Sequence, residues 1–410
     1  MPLRCSDLRG HRSLQLGLVL AVPVLVKLFF LQADKVFEPH TMALEWIASG
    51  HFRYNYLGAW DHAFQFPVYT AVVAAIHLCG GGDHAVLLFQ VLCGAGTAYT
   101  IHRIALLLLH ALPYAWPVGM VTALLTGLSP FLAYYQVRMI HPFAWDMLLA
   151  TVLFGGALGA SPHRPRSLVL LFLLGGLAVL NRPTLGVFVL PFVLRQWRFV
   201  FSLRAMGLKV VLLVLFCAPL VGWVLRNHAV TGRYQLTSVT DQMRWMGVQE
   251  ETEGSGQLPN GDNYLYLLSV PERQLLFTLD PAERSQFFHR KWQEECTASP
   301  GLRWRMFAIK LKNFWLHRSH PGTDQAAAAW AMVLFKGYTA VMLVVLLAAV
   351  AFRQVALLPV GASVLALSLV QCAFYFETRH RLLVEPLLML VAVTTVVQLY
   401  QRWQAARHPG

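Results

Sequence analysis

The sequence predicts an all-α polytopic membrane protein, and three observations carry that prediction. Of 410 residues, 57% are hydrophobic and only 13% are charged. The mean hydropathy of +0.52 is too high for the surface of a water-soluble protein of this size. The apolar residues also gather in runs close to the ~20 residues that cross the hydrocarbon layer.

Ten runs qualify as spans: residues 14–33, 84–109, 114–135, 143–160, 167–181, 183–197, 205–225, 327–350, 354–375 and 382–400. The first follows a basic start (Arg4, Arg9, Arg12), contains Lys27 and has no small-residue cleavage site after it, so it is expected to stay as an anchor. Residues 67–80 are apolar but only fourteen long, bounded by Pro67 and Gly80-Gly81-Gly82, and are expected to lie in the interface. Residues 167–194 carry Asn181-Arg182-Pro183 in their middle. An arginine and a helix-breaking proline at the bilayer centre are costly, so two helices meeting at the surface are expected there.

Charge supports this arrangement. With the N-terminus in the cytosol, the inner segments hold Arg4, Arg9, Arg12, Arg103, Arg164, Arg166, Arg195, Arg198, Arg204, Lys209, Arg353, Arg402 and Arg407, against the single acid Asp7. That is the asymmetry of the positive-inside rule, and making residues 67–80 a full span would destroy it. The net charge of +13 therefore speaks to orientation and anionic lipid, with no nucleic-acid partner.

Three units follow: an N-terminal membrane module, residues 1–225, with a first outer loop at 34–83; an outer loop subdomain, residues 226–326; and C-terminal helices, residues 327–410. From Asn227 to Ala326 there are eleven acidic and eleven basic side chains, in a segment long enough for a small folded unit. Of the nine other acids, Asp34, Glu38, Glu45, Asp61, Asp83, Asp146, Glu377 and Glu385 fall at or near the outer rim. An ion-coupled transporter would instead place ionisable groups near the midplane.

Within the first outer loop, residues 37–50 read as an amphipathic helix with Met42, Ala43, Trp46 and Ile47 on one face and Gly50 as its stop. Glu38 stands at the N-terminal edge, where the helix dipole favours an ionised carboxylate. A second carboxylate, Asp61, lies in Trp60-Asp61-His62, ahead of the aromatic Phe66-Pro67-Val68-Tyr69. The six cysteines are scattered, and no two of His40, His62, His141 and His380 are four residues apart, so neither a disulfide framework nor a metal centre is indicated.

The series Glu38, then Ala43, Ile47 and Gly50, then Pro67-Val68-Tyr69 resembles that of the GT-C membrane glycosyltransferases, near the protein O-mannosyltransferases and the lipid A aminoarabinose transferases. Gly222-Trp223-Val224-Leu225-Arg226-Asn227 with Gly232-Arg233-Tyr234 is similar to their W-x-x-R-N and G-R-F element. Glu377-Thr378-Arg379-His380-Arg381-Leu382-Leu383-Val384-Glu385-Pro386 is similar to the R-Y-R-L-P-x-x-P segment that opens the last span. Departures are a single Glu38 in place of an Asp-Glu pair, His380 for the usual Tyr and Leu383 for the usual Pro.

The resemblance implies a GT-C-like bundle of about ten transmembrane helices, with interfacial helices in the first outer loop and a large outer loop before the last three spans. It implies an inverting transfer of a hexosyl or pentosyl group from a polyprenyl-phosphate carrier to a lipid, glycan or protein acceptor. Glu38 is then the catalytic base, and Asp61 and Asp146 are second acidic candidates. The leaving phosphate needs guanidinium groups, and depth selects Arg138, Arg182, Arg226, Arg379 and Arg381. Competing explanations are an Arg138–Asp146 ion pair, interface anchoring by Arg182 and Arg226, and neutralisation of Arg381 by Glu385. The expected chemistry requires no cofactor and is compatible with a divalent ion. A transporter or flippase of a lipid-linked saccharide is the competing class, and a non-catalytic assembly protein a third. The lack of any N-x-Ser/Thr sequon favours a bacterial inner membrane, with the site facing the periplasm.

Overall fold

The computed structural model describes residues 5–203, 205–316, 329–352, 354–375 and 378–407. Arg4, Arg204, Arg353, Glu377 and residues 317–326 of the outer segment lie outside them. The described helices are α1 (Cys5–Leu28), α2 (Glu38–Ser49), α3 (Pro67–Leu78), α4 (Asp83–Leu108), α5 (Ala115–Leu128), α6 (Pro130–Val137), α7 (Phe143–Gly159), α8 (Pro165–Asn181), α9 (Leu190–Arg195) and α10 (Trp197–Val200). They continue with α11 (Met206–Thr231), α12 (Thr240–Met246), α13 (Val270–Leu276), α14 (Pro281–Ala298), α15 (Leu302–Leu316), α16 (Ala329–Ala351), α17 (Leu358–Ala373) and α18 (Glu385–Arg407). Strands are confined to β1 (Lys35–Val36), β2 (Tyr54–Tyr56), β3 (Ala59–Asp61) and β4 (Met139–Ile140).

The protein is a helical, polytopic membrane bundle, and among the described residues most of each run expected to span is helical. Among the described residues, Asp83–Leu108, Met206–Thr231 and Val333–Ala351 are each long and apolar enough to cross alone; α5 and α6, bent by 52°, do so together. The others are shorter apolar helices. Val210, Val211, Leu213 and Val214 of α11 are all exposed, as are Val344, Leu347 and Val350 of α16. Apolar faces this continuous require a lipid solvent.

Local chemistry sets the breaks that position the site. Helix α2 has proline in its first turn and ends on Gly50, whose φ of 74° supplies the left-handed stop. Its buried face is Pro39, His40, Met42 and Ala43, with Trp46 half-buried, whereas Ile47, expected on that face, is exposed. Helix α8 stops at Asn181 because Pro183 forces Arg182 into extended backbone (φ −155°, ψ 114°), and a 3-10 turn, Pro183–Val189, follows. Gly176 lets α8 meet α11: a Cβ there would overlap the Phe216 carbonyl.

The main core joins α4, α5, α7, α8, α17 and α18. Its two ends differ in charge. Asp146 opens α7, and at the helix's other end Arg195 donates to the Leu158 carbonyl. Near that second end Lys209 donates to Ser202, Arg12 lies over Trp116 and Arg402 over Phe352. At the Asp146 end, α12–α14 surround a separate cluster of Trp245, Tyr264, Leu276, Phe287 and Phe288, against which Leu57 of the first loop packs.

Candidate functional site

The site starts from the chain leaving α1. β1 pairs in parallel with β4, Lys35 opposite Met139 and Val36 opposite Ile140, which sets Phe37 edge-on to His141 at 4.6 Å between ring centroids. Gln90, fully buried on α4, fixes this junction: its amide donates to the Met139 carbonyl (2.7 Å), and its oxygen accepts from the Tyr69 hydroxyl (2.6 Å) and the His141 N–H (3.0 Å). Glu38 follows Phe37 as the first residue of α2.

One wall is aromatic and cationic. His141 stacks on Phe143 at 4.4 Å. Phe143 carries the Arg182 guanidinium at 4.8 Å and that of Arg379 at 5.9 Å, and Arg379 also lies over Phe37 at 5.6 Å. Asp146 is buried beneath, taking Arg182 Nη1 at 2.6 Å and Asn181 Nδ2 at 2.5 Å. The Phe143 N–H donates to His141 Nδ1, and Gln371 Nε2 donates to His380 Nδ1 at 2.8 Å, so each neutral imidazole carries its hydrogen on Nε2. Burial first, then the positive charges of Arg379 and Arg182, holds both histidines well below the usual imidazole range. The wall's positive charge therefore resides in the two guanidinium groups, and Asp146 pairs with that of Arg182.

On its other side Glu38 faces the β2–β3 hairpin. Burial and then the Glu38 carboxylate raise the Tyr54 phenol above its ordinary value, and Glu38 contributes to the same rise at Tyr56. The outer-loop helices clamp this hairpin: Arg284 donates to the Tyr56 and Leu57 carbonyls, and Gln242 donates to the Tyr56 and Tyr264 hydroxyls.

The remaining expected site residues are used elsewhere. Arg381 is fully buried, paired with Glu385 at 2.6 Å and donating to Trp315 O and Thr339 Oγ1, both at 2.9 Å. This is a correction for Arg381 as an expected phosphate-binding residue: Glu385, four residues on, neutralises it, and no water-accessible face is left to it. Arg138 pairs with Asp34 at 2.6 Å rather than with Asp146, because β1 runs past the end of α6. Arg226 donates to the His62 and Phe52 carbonyls and stacks on Trp223, docking the first loop onto α11. Asp61 is buried, accepting from Ala63 N at 2.9 Å and Ser238 Oγ at 2.5 Å, and burial raises its carboxyl above the usual range. The Trp223/Asn227 element is likewise structural: Trp223 Nε1 donates to Leu236 O, and Asn227 Nδ2 to Gln235 O and Leu236 O.

Two features escaped sequence reasoning. Gln90 is an isolated polar residue in an apolar run. His40, His77 and Asp83 come from three helices, and their ligand atoms lie within 4.8 Å of one another, close enough to hold a metal ion.

No protein-family model matches the chain, and no curated protein matches it. Among solved structures, the oligosaccharyltransferase of Archaeoglobus fulgidus, tethered to an acceptor peptide, aligns with a TM-score of 0.51 at 12% identity over 96% of this chain and 51% of that one. ArnT from Cupriavidus metallidurans, bound to undecaprenyl phosphate, aligns at 15% identity over 96% of this chain and 79% of that one, with a TM-score of 0.44. The chain thus spans about half the length of the oligosaccharyltransferase and shares its fold, in agreement with the GT-C-like bundle expected from the sequence.

Proposed function

We propose that this protein is a membrane glycosyltransferase that moves a sugar from a polyprenyl-phosphate carrier to an acceptor hydroxyl by a single inverting displacement. One observation carries the reading: Phe37, the residue before Glu38, lies under Arg379 and against His141, so the acidic edge of α2 adjoins the cationic wall. The fold shared with an oligosaccharyltransferase supports it.

In the reaction the acceptor oxygen bonds to the anomeric carbon as the bond from that carbon to the phosphate oxygen breaks. The bonding pair leaves with the phosphate, and the acceptor proton passes to Glu38. The leaving group is already a phosphate and needs charge stabilisation rather than an acid, which Arg379 and Arg182 supply. Asp146 holds Arg182 in place and acts through it. The acceptor is a lipid, glycan or protein, the donor sugar a hexose or pentose, and the face is the periplasmic side of a bacterial inner membrane.

The test is Glu38→Gln in the purified protein, with a labelled polyprenyl-phosphate sugar and membrane extract as acceptor. Loss of transfer by about 10²–10⁴-fold, the usual worth of a general base, is expected with expression and unfolding midpoint unchanged. Near-wild-type product formation would reject the assignment. Carrier movement without a new glycosidic bond would replace the enzyme reading with transport.

A further inference from the structure

We propose that His40, His77 and Asp83 form a zinc-class divalent metal site that fastens α2 to the turn between α3 and α4. His40 Nε2 lies 2.8 Å from Asp83 Oδ1, and His77 Nε2 lies 3.6 Å from the same oxygen. The imidazoles approach edge to face at 5.5 Å. Zinc bonds of about 2.0–2.2 Å place the ligand atoms of a tetrahedral site roughly 3.3–3.5 Å apart, so small side-chain rotations bring these three atoms onto one ion.

A His–Asp hydrogen bond alone leaves something over. His77 Nε2 is buried and has no hydrogen-bond partner among the described residues, although its lone pair or N–H faces the same carboxylate. A buried polar nitrogen without a partner costs about 1–3 kcal/mol, and a metal bond would satisfy it. The turn between α3 and α4 brings two of these ligands together. Gly80 adopts φ 82°, and a Cβ on Gly81 would come within 2.8 Å of Ala85 and 2.9 Å of Ile76, so only glycine lets the end of α3 fold back onto the start of α4 this closely.

The donor set chooses the ion. Two imidazoles and one carboxylate suit zinc and its first-row neighbours, whereas calcium and magnesium take oxygen ligands. Asp83 is part exposed, 43% of its side chain, which leaves a fourth position for water. His40 stands two residues after Glu38, about 200° around the helix, so the ion lies on the opposite face of α2 from the Glu38 carboxylate. Its role is to hold the helix that carries Glu38, and the proposal does not depend on the transfer reaction.

The experiment uses the full chain purified in detergent, stripped with chelator and dialysed against micromolar zinc, with metal content measured by mass spectrometry. About one zinc per chain is expected, and cobalt in its place should give the intense visible bands of a four-coordinate site. Outer-shell partners alone change affinity by about 10–100-fold, so His77→Ala is expected to weaken binding by at least about 100-fold. Wild-type protein that retains no zinc and shows no cobalt bands would reduce the cluster to a His–Asp hydrogen bond and overturn the proposal. So would a folded His77→Ala variant that binds as tightly as wild type. Both readouts are independent of sugar transfer, and the cobalt spectrum needs no variant, so a failed Glu38 assignment would leave this result unaffected.

Discussion

Replacing either partner of the Asp146–Arg182 pair unbalances the cationic wall, and the structure says which replacement costs more. Asp146 has 1% of its side chain exposed and, among the described residues, its carboxylate is held by Arg182 and Asn181. In Arg182→Gln the carboxylate would stay in that burial without its counter-charge, a situation worth about 3–5 kcal/mol. Asp146→Asn strands a guanidinium instead, but 20% of the Arg182 side chain is exposed and its charge lies over the Phe143 ring. Water and a cation–π contact of about 0.5–2 kcal/mol absorb part of the loss, leaving about 1–2 kcal/mol for that variant. The double variant removes both charges and should be more stable than Arg182→Gln alone. Unfolding followed by tryptophan fluorescence in mixed micelles, run as a double-mutant cycle, measures all three. Equal costs for the two single changes, or additivity within about 0.5 kcal/mol, would refute the claim that burial of the carboxylate dominates.

Three further outcomes follow from the same contacts. His141 and His380 have folded-state affinities for protons held below the unfolded value of about 6.5. Their contribution to stability is therefore present above that pH and is lost as pH falls below it, with a slope of up to about 1.4 kcal/mol per pH unit for each histidine; His380→Asn should flatten the pH dependence of the unfolding midpoint between pH 7 and 5, and an unchanged slope would exclude a buried neutral imidazole. Gly176→Ala, driving a methyl group into the Phe216 carbonyl, should cost about 1–3 kcal/mol in the same unfolding assay. Asn227→Ala leaves the Gln235 and Leu236 carbonyls without that amide, and should lower stability by about 1–3 kcal/mol and speed proteolysis after Gly232.

What a sequence can show about such a protein divides by the range of the interactions involved. Helix limits are local, so Gly50 ending α2 and Pro183 ending α8 are visible as residue types in the chain. The gathering of Arg12, Arg195, Lys209 and Arg402 at the end of the bundle opposite Asp146 is legible too, because the cost of burying charge in lipid acts on every cation according to its depth. Depth does not say what each guanidinium meets once the chain has packed. Arg226, Arg379 and Arg381 share a rim position in the sequence, yet Arg226 meets two carbonyls of the first loop, Arg379 the rings of Phe37 and Phe143, and Arg381 a glutamate four residues on. Glu385 at i+4 was the one local clue, and it pointed the right way. His40, His77 and Asp83 are illegible for the complementary reason: metal-ligand spacing shows within one helix, whereas these three come from three helices, two of them joined by a glycine turn. Gln90 has no spacing to betray it at all. Its hydrogen bonds reach segments 21 to 51 residues away, and this long-range junction is what brings Phe37, the residue before Glu38, to His141. The catalytic proposal therefore depends on a residue that carries no chemistry of its own. Gln90→Leu, which fits the same apolar run, should separate helix formation from site assembly, keeping α4 intact while loosening β4 from β1.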